Sequence, residues 1–188
     1  MLQQVGGASV WWEDENRKVF ADAVPPRKEQ ETGLRLDLAQ GEVGCLQLVV
    51  TPGTDWEGFR WDWEDFSGAE PISRSHLRCR LVETIPIRDP VSPFAHAGIN
   101  PDPLTDKLPC RVASGTSQAF WFTLSPPRDV LPGVYRTQLV LKTKAGERCR
   151  LPLELQVREF SIPRRPTLDV YSGSRMSLVR AVEKGDPE

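Results

Sequence analysis

Apolar residues recur along this chain with a period of two, in short runs cut by turn residues. Positions 34–38 read Leu-Arg-Leu-Asp-Leu, the alternation of a half-buried strand. Positions 45–50, Cys-Leu-Gln-Leu-Val-Val, follow a Gly41-Glu42 turn and stop at Thr51-Pro52-Gly53. Positions 59–66 alternate aromatic with polar side chains. Positions 77–81 alternate leucine and cysteine with arginine and run on to Ile87. A further run at 118–124 is closed by Pro126-Pro127. Runs at 134–143 and 149–157 flank Lys144-Ala-Gly-Glu147, which predicts a β-hairpin with a four-residue loop. Strands spaced about ten residues apart predict an all-β, two-sheet, mainly antiparallel sandwich of the immunoglobulin or jelly-roll kind. One strand phase collects Leu36, Leu46, Leu48, Leu77, Cys79, Leu81, Leu139, Leu141, Leu151, Leu153 and Leu155, which are expected between the sheets.

Two stretches depart from this rhythm. Residues 88–115 hold Pro90, Pro93, Pro101, Pro103 and Pro109 and read as a long irregular loop that cannot be a central strand. Such a loop is expected to be functional or pinned against a partner surface. Residues 160–166, Phe-Ser-Ile-Pro-Arg-Arg-Pro, read as a linker. Beyond it a short strand at 167–171 and a helix start at 177–183 are too little to form a domain. The expected division is therefore a sandwich at 1–160 and the truncated opening of something further at 161–188.

Composition narrows the function. The 188 residues carry a formal net charge of −2, and basic residues do not cluster beyond short pairs such as Arg164-Arg165. That balance gives no electrostatic reason to bind nucleic acid or an anionic membrane. No run of about 18 apolar residues exists to span a bilayer. The first residues lack a signal peptide's basic and apolar regions, so the chain is expected to be cytoplasmic, or secreted with its leader missing. Cys45, Cys79, Cys110 and Cys149 are not in metal-ligand spacing, and the two histidines are His76 and His96, so no metal site is expected. Two disulfides are one open reading; the other takes Cys79 and Cys149, on the apolar phase of their strands, as small hydrophobes. No phosphate loop or nucleophile elbow is present, and no cofactor is implied.

Several segments, in order, resemble the N-terminal domain of glycoside hydrolase family 123 and its uncharacterised relatives. Val10-Trp-Trp12 with Lys18-Val-Phe20 is similar to the family's opening strand pair. Residues 38–50, Leu-Ala-Gln-Gly-Glu-Val-Gly-Cys-Leu-Gln-Leu-Val-Val, resemble its signature, with Gln40 in place of the usual arginine. Gly98 with Pro101-Asp-Pro-Leu104 is similar to its Pro-Asp-Pro-Leu loop. Gln118-Ala-Phe-Trp121, Pro126-Pro127 and Pro132-Gly-Val-Tyr135 resemble its last strands, and Phe160-Ser-Ile-Pro163 its exit. The resemblance spans about residues 10–170. It implies a sandwich followed by a (β/α)₈ barrel that carries the chemistry. That chemistry is retaining hydrolysis of β-linked N-acetylgalactosaminides, with the substrate's acetamido group as nucleophile and an adjacent Asp-Glu pair on the barrel. On this reading the chain is a non-catalytic accessory domain partnered by the barrel. The alternative is a stand-alone module that binds carbohydrate or protein.

Candidate site residues follow from these two readings. Trp61 and Trp63 share a strand phase, and with Trp121 they are candidates for stacking on sugar faces or for core and inter-domain contact. Asp102, between two prolines, either bonds a sugar or partner domain or caps backbone donors in an Asx turn. Asp14-Glu15 sits in a fully polar run and reads as a solvated turn, not a catalytic pair, which would need a rigid pocket. Glu42 is a candidate for a salt bridge across the sandwich.

Overall fold

A computed structural model describes residues 3–5, 7–26, 33–88 and 97–164. Among these residues eleven strands form two sheets: β1 (Gln3–Val5), β2 (Ala8–Glu13), β3 (Leu34–Gln40), β4 (Gly44–Thr51), β5 (Trp56–Asp62), β6 (Leu77–Ile87), β7 (Gly98–Thr105), β8 (Cys110–Val112), β9 (Gln118–Leu124), β10 (Gly133–Thr143) and β11 (Gly146–Ser161). A single 3₁₀ turn at Arg74–His76 precedes β6. The six-stranded sheet runs β1-β2-β4-β9-β6-β7 and the five-stranded sheet β3-β11-β10-β5-β8. Every pairing is antiparallel except β3 with β11. The expected sandwich is therefore the observed fold.

The alternation in the sequence becomes the core. Leu48, Leu77, Leu81, Leu139, Leu141, Leu151, Leu153 and Leu155 are buried between the sheets, and Leu36, Leu46 and Cys79 pack against them half-buried. Phe59 stacks on Phe120 at 4.4 Å between ring centroids, joining β5 of one sheet to β9 of the other. Tyr135 is fully buried, and its hydroxyl donates to Leu131 O at 2.7 Å, so the one polar atom of that ring is satisfied.

The structure corrects three local expectations. The 88–115 stretch is not all loop: β7 forms the outer edge of the six-stranded sheet and β8 an edge of the five-stranded one. Pro101 and Pro103 are tolerated because β7 is outermost and its pairing with β6 slips between Val82 and Thr84. The β10–β11 hairpin turns on two residues, Lys144-Ala145, not four. Thr143 pairs with Gly146, and a bulge follows at Leu141/Lys142. Gly146 takes φ 109°, which suits glycine there. Lys18-Val-Phe20 is not a strand; β2 pairs with β1 and β4 instead. The expected elements at 167–171 and 177–183 lie outside the described residues, as does His96.

Candidate functional site

The outer face of the six-stranded sheet carries a second apolar patch. Trp11, Val19, Val49, Val82 and Ala119 are buried there, with Ala23 and Trp121 packed beside them. Residues 14–26 cross this face as a strap. Two buried polar side chains hold it: Gln47 Nε2 donates to Arg17 O at 3.0 Å, and Ser117 Oγ donates to Ala23 O at 2.7 Å. Val19 and Ala23 are the strap's apolar contacts with the sheet.

Beside the strap lies a groove of about 270 Å³. Its walls include Asn16, Lys18 and Val19 of the strap, Gln47 of β4, Val82 of β6, Asp102 and Leu104 of β7, and Trp121 of β9. Trp121 is half-buried between Gln47 and Arg80 on the neighbouring strands, and its indole N–H has no hydrogen-bond partner among the described residues. Asp102 is exposed and accepts a charged hydrogen bond from Lys18 Nζ at 3.2 Å, which ties β7 to the strap. That ion pair, not an Asx turn, is what its carboxylate does. Chemically the groove offers an aromatic surface flanked by the cations of Arg17 and Lys18, the carboxylates of Glu15 and Asp102, and the amides of Asn16 and Gln47. These are the donors, acceptors and apolar area that a small polar ligand needs.

Two of the four candidate residues thus share one groove. Trp63 and Trp61 lie elsewhere. Trp61 is 5% exposed inside the core, edge-on to Phe59, Phe120 and Phe122, and leaves no ring face for a sugar. Its Nε1 is buried without a hydrogen-bond partner among the described residues. Trp63 packs against the same core and donates to Arg74 O at 2.9 Å.

The remaining sequence candidates have local roles. Asp14 and Glu15 are exposed in a turn where Asp14 accepts from Asn16 N at 2.8 Å. Glu42 makes no salt bridge among the described residues; its carboxylate accepts Ala39 N–H at 2.7 Å. Gln40, where the resembled signature has arginine, donates to Val130 O at 2.8 Å. The four cysteines are free thiols. Burial pushes the Cys79 thiol up strongly and the Cys110 and Cys149 thiols up to about 11, so they sit as hydrophobes, not nucleophiles. No cluster of side chains suited to a metal occurs among the described residues. Sequence reasoning passed over Lys18 and Gln47. Lys18 gave no signal because its partner is 84 positions away.

No family model matches the chain, and no curated protein matches it by sequence. Among solved structures it is similar to a family 123 glycoside hydrolase from Clostridium perfringens, at 13% identity and a TM-score of 0.60. That match covers 69% of this chain and 23% of the hydrolase. Similarities to the secreted serine protease VesC from Vibrio cholerae (12% identity, TM-score 0.36, 65% of this chain, 21% of that one) and to a PapD-like domain of human CEP192 (12%, 0.34, 85% and 91%) are too distant to bear on function. At 13% identity the hydrolase match shows a shared β-sandwich fold, and this chain spans under a quarter of that enzyme's length.

Proposed function

We propose that this chain is the non-catalytic N-terminal accessory domain of a family 123-like glycoside hydrolase, set before a (β/α)₈ barrel that performs the hydrolysis. The observation that carries the reading is the sandwich's similarity to part of the Clostridium perfringens enzyme, in a chain whose own motifs resemble the same family in order. The parent activity is then retaining, substrate-assisted cleavage of β-N-acetylgalactosaminides. The sandwich contributes rigidity: two sheets packed around an aromatic core make a buttress, and Phe160 and Ile162, exposed at the end of β11, are apolar positions a following domain would cover. Deleting residues 1–160 from the full product of the gene tests this. The account expects a remainder that melts earlier and loses turnover. Unchanged melting and turnover would overturn the buttress role.

The groove at Trp121 favours a second reading, a module that binds carbohydrate in its own right, because it brings two candidate residues, Trp121 and Asp102, together. A pyranose stacked on Trp121 would take the free indole N–H and Asp102 as polar partners. Titration with N-acetylgalactosamine, followed by tryptophan fluorescence in the chain and in Trp121→Ala, separates the readings. Saturable quenching that the substitution abolishes supports the module; no quenching removes it.

A further inference from the structure

Among the described residues, β3 is the outermost strand of the five-stranded sheet and pairs with β11 alone. Its backbone groups divide into two sets. Gln40 C=O accepts Ile162 N–H at 2.9 Å, so the even-numbered residues turn toward β11. Ala39 turns away: its N–H goes to the Glu42 carboxylate at 2.7 Å, and its carbonyl accepts Glu42 N–H at 3.2 Å. Alternation along the strand puts Arg35 and Asp37 on Ala39's side. Their main-chain N–H and C=O groups have no hydrogen-bond partner among the described residues. Glu42 blunts this edge at one end only.

The free edge borders a cleft of about 470 Å³ that Trp12 of β2 and Leu46 of β4 also line. Trp12 follows Ala8 and Val10 in the inward phase of β2. Both of those are fully buried, yet Trp12 is 42% exposed. Leu36 and Leu46, also inward, are half-buried. An inward tryptophan 42% exposed lies on a strip of the larger sheet that no strand of the described residues covers. The smaller sheet has one strand fewer. The cleft's lining is mainly acidic: Glu13, Asp14, Glu15, Asp37 and Glu42 face Arg35, and although Arg17 pairs with Glu13 and Arg158 with Asp37, the Asp14, Glu15 and Glu42 carboxylates have no ion-pair partner among the described residues.

We propose that the free edge of β3 takes an extended, lysine- or arginine-bearing peptide segment of another protein as a sixth strand. Main-chain bonds to Arg35 and Asp37 would fix it. Its apolar side chains would cover Trp12 and Leu36, and its basic ones would meet the Asp14, Glu15 and Glu42 carboxylates. A second copy of this chain is the poorer occupant, because two-fold pairing of β3 would bring two acidic rims together. The inference rests on the β3 edge and is independent of the accessory-domain reading.

The test is a titration of the chain, followed by amide NMR, with a seven-residue peptide alternating lysine and valine. Two comparators are the same peptide with glutamate for lysine, and the lysine peptide N-methylated at alternate residues. The proposal expects saturable shifts at the Arg35 and Asp37 amides and the Trp12 indole. It expects binding about tenfold or more weaker for the glutamate peptide and none for the N-methylated one. Absence of saturable binding, equal binding of either comparator, or shifts confined to other strands would overturn it. So would concentration-dependent shifts of the same amides without peptide, which would assign the edge to a second copy.

Discussion

Replacing Leu153 with alanine tests the phase on which the sandwich rests. Leu153 is 1% exposed on β11, between Thr137 of β10 and Leu34 of β3. The substitution removes three carbons from the core, which at roughly 0.8 kcal/mol per buried methylene is about 2.4 kcal/mol. The neighbours are held by strands on both sides, so the site closes only partly and a cavity term adds to the loss. The expected total is about 3–4 kcal/mol, within the usual ~2–5 range for such truncations. Equilibrium urea titration reads it as a lower midpoint with an unchanged slope. In a thermal melt the same loss is a drop of roughly 10 °C for a domain of this size. Glu154→Ala is the control. Its side chain faces the other way, in solvent-exposed pairs with Arg136 at 2.9 Å and Arg35 at 4.0 Å, and should cost under about 1 kcal/mol. A Leu153→Ala loss no greater than that of the control would refute the register of β11 and the core built on it.

Further outcomes follow from other contacts. Gly68→Ala should destabilise by about 1–3 kcal/mol in the same titration, because a Cβ there meets the Tyr135 ring and lies 2.8 Å from Val134 O. The hydrogen bond from Arg158, whose Nε lies 2.6 Å from Asp37, holds the Asp37 carboxyl below its usual value. A depressed carboxylate stabilises above its unfolded pKa of about 3.9 and loses that stability as pH falls through the folded value. Asp37→Asn should therefore lose less stability than the parent between neutral pH and about pH 3, measured by urea midpoints. Cys79, Cys110 and Cys149, with thiols raised by burial, should resist iodoacetamide in native buffer near neutral pH and react once urea unfolds the chain. Rapid native alkylation of any of them, mapped by mass spectrometry, would contradict their placement.

Alternation carried most of the fold because a strand's two faces see different solvents. Leu34, Leu139 and Leu153 had to sit in one phase, and the pattern was visible without coordinates. What alternation does not encode is which strands meet. The parallel β3–β11 pair joins residues more than a hundred positions apart, and nothing local announces it. Proline misled where position mattered more than identity: Pro101 and Pro103 exclude a central strand but not an edge, and β7 is an edge. The groove was half legible. Trp121 and Asp102 were visible as residue types suited to a ligand, but their meeting depends on the strap, and the strap is held by Gln47 and Ser117 reaching across the sheet to backbone carbonyls. Trp61 and Trp63 carried the same aromatic signal and face inward, because composition cannot say which side of a sheet is covered.

The most direct test of the central claim is hydrolysis of a chromogenic N-acetyl-β-galactosaminide by two pure proteins, the 188-residue chain and the full product of its gene. The account predicts turnover by the full product and none by the chain, with no change when Asp14 or Glu15 is replaced in either. Turnover by the chain itself, abolished by changing Asp14 or Glu15, or a full product with no glycosidase activity, would contradict it.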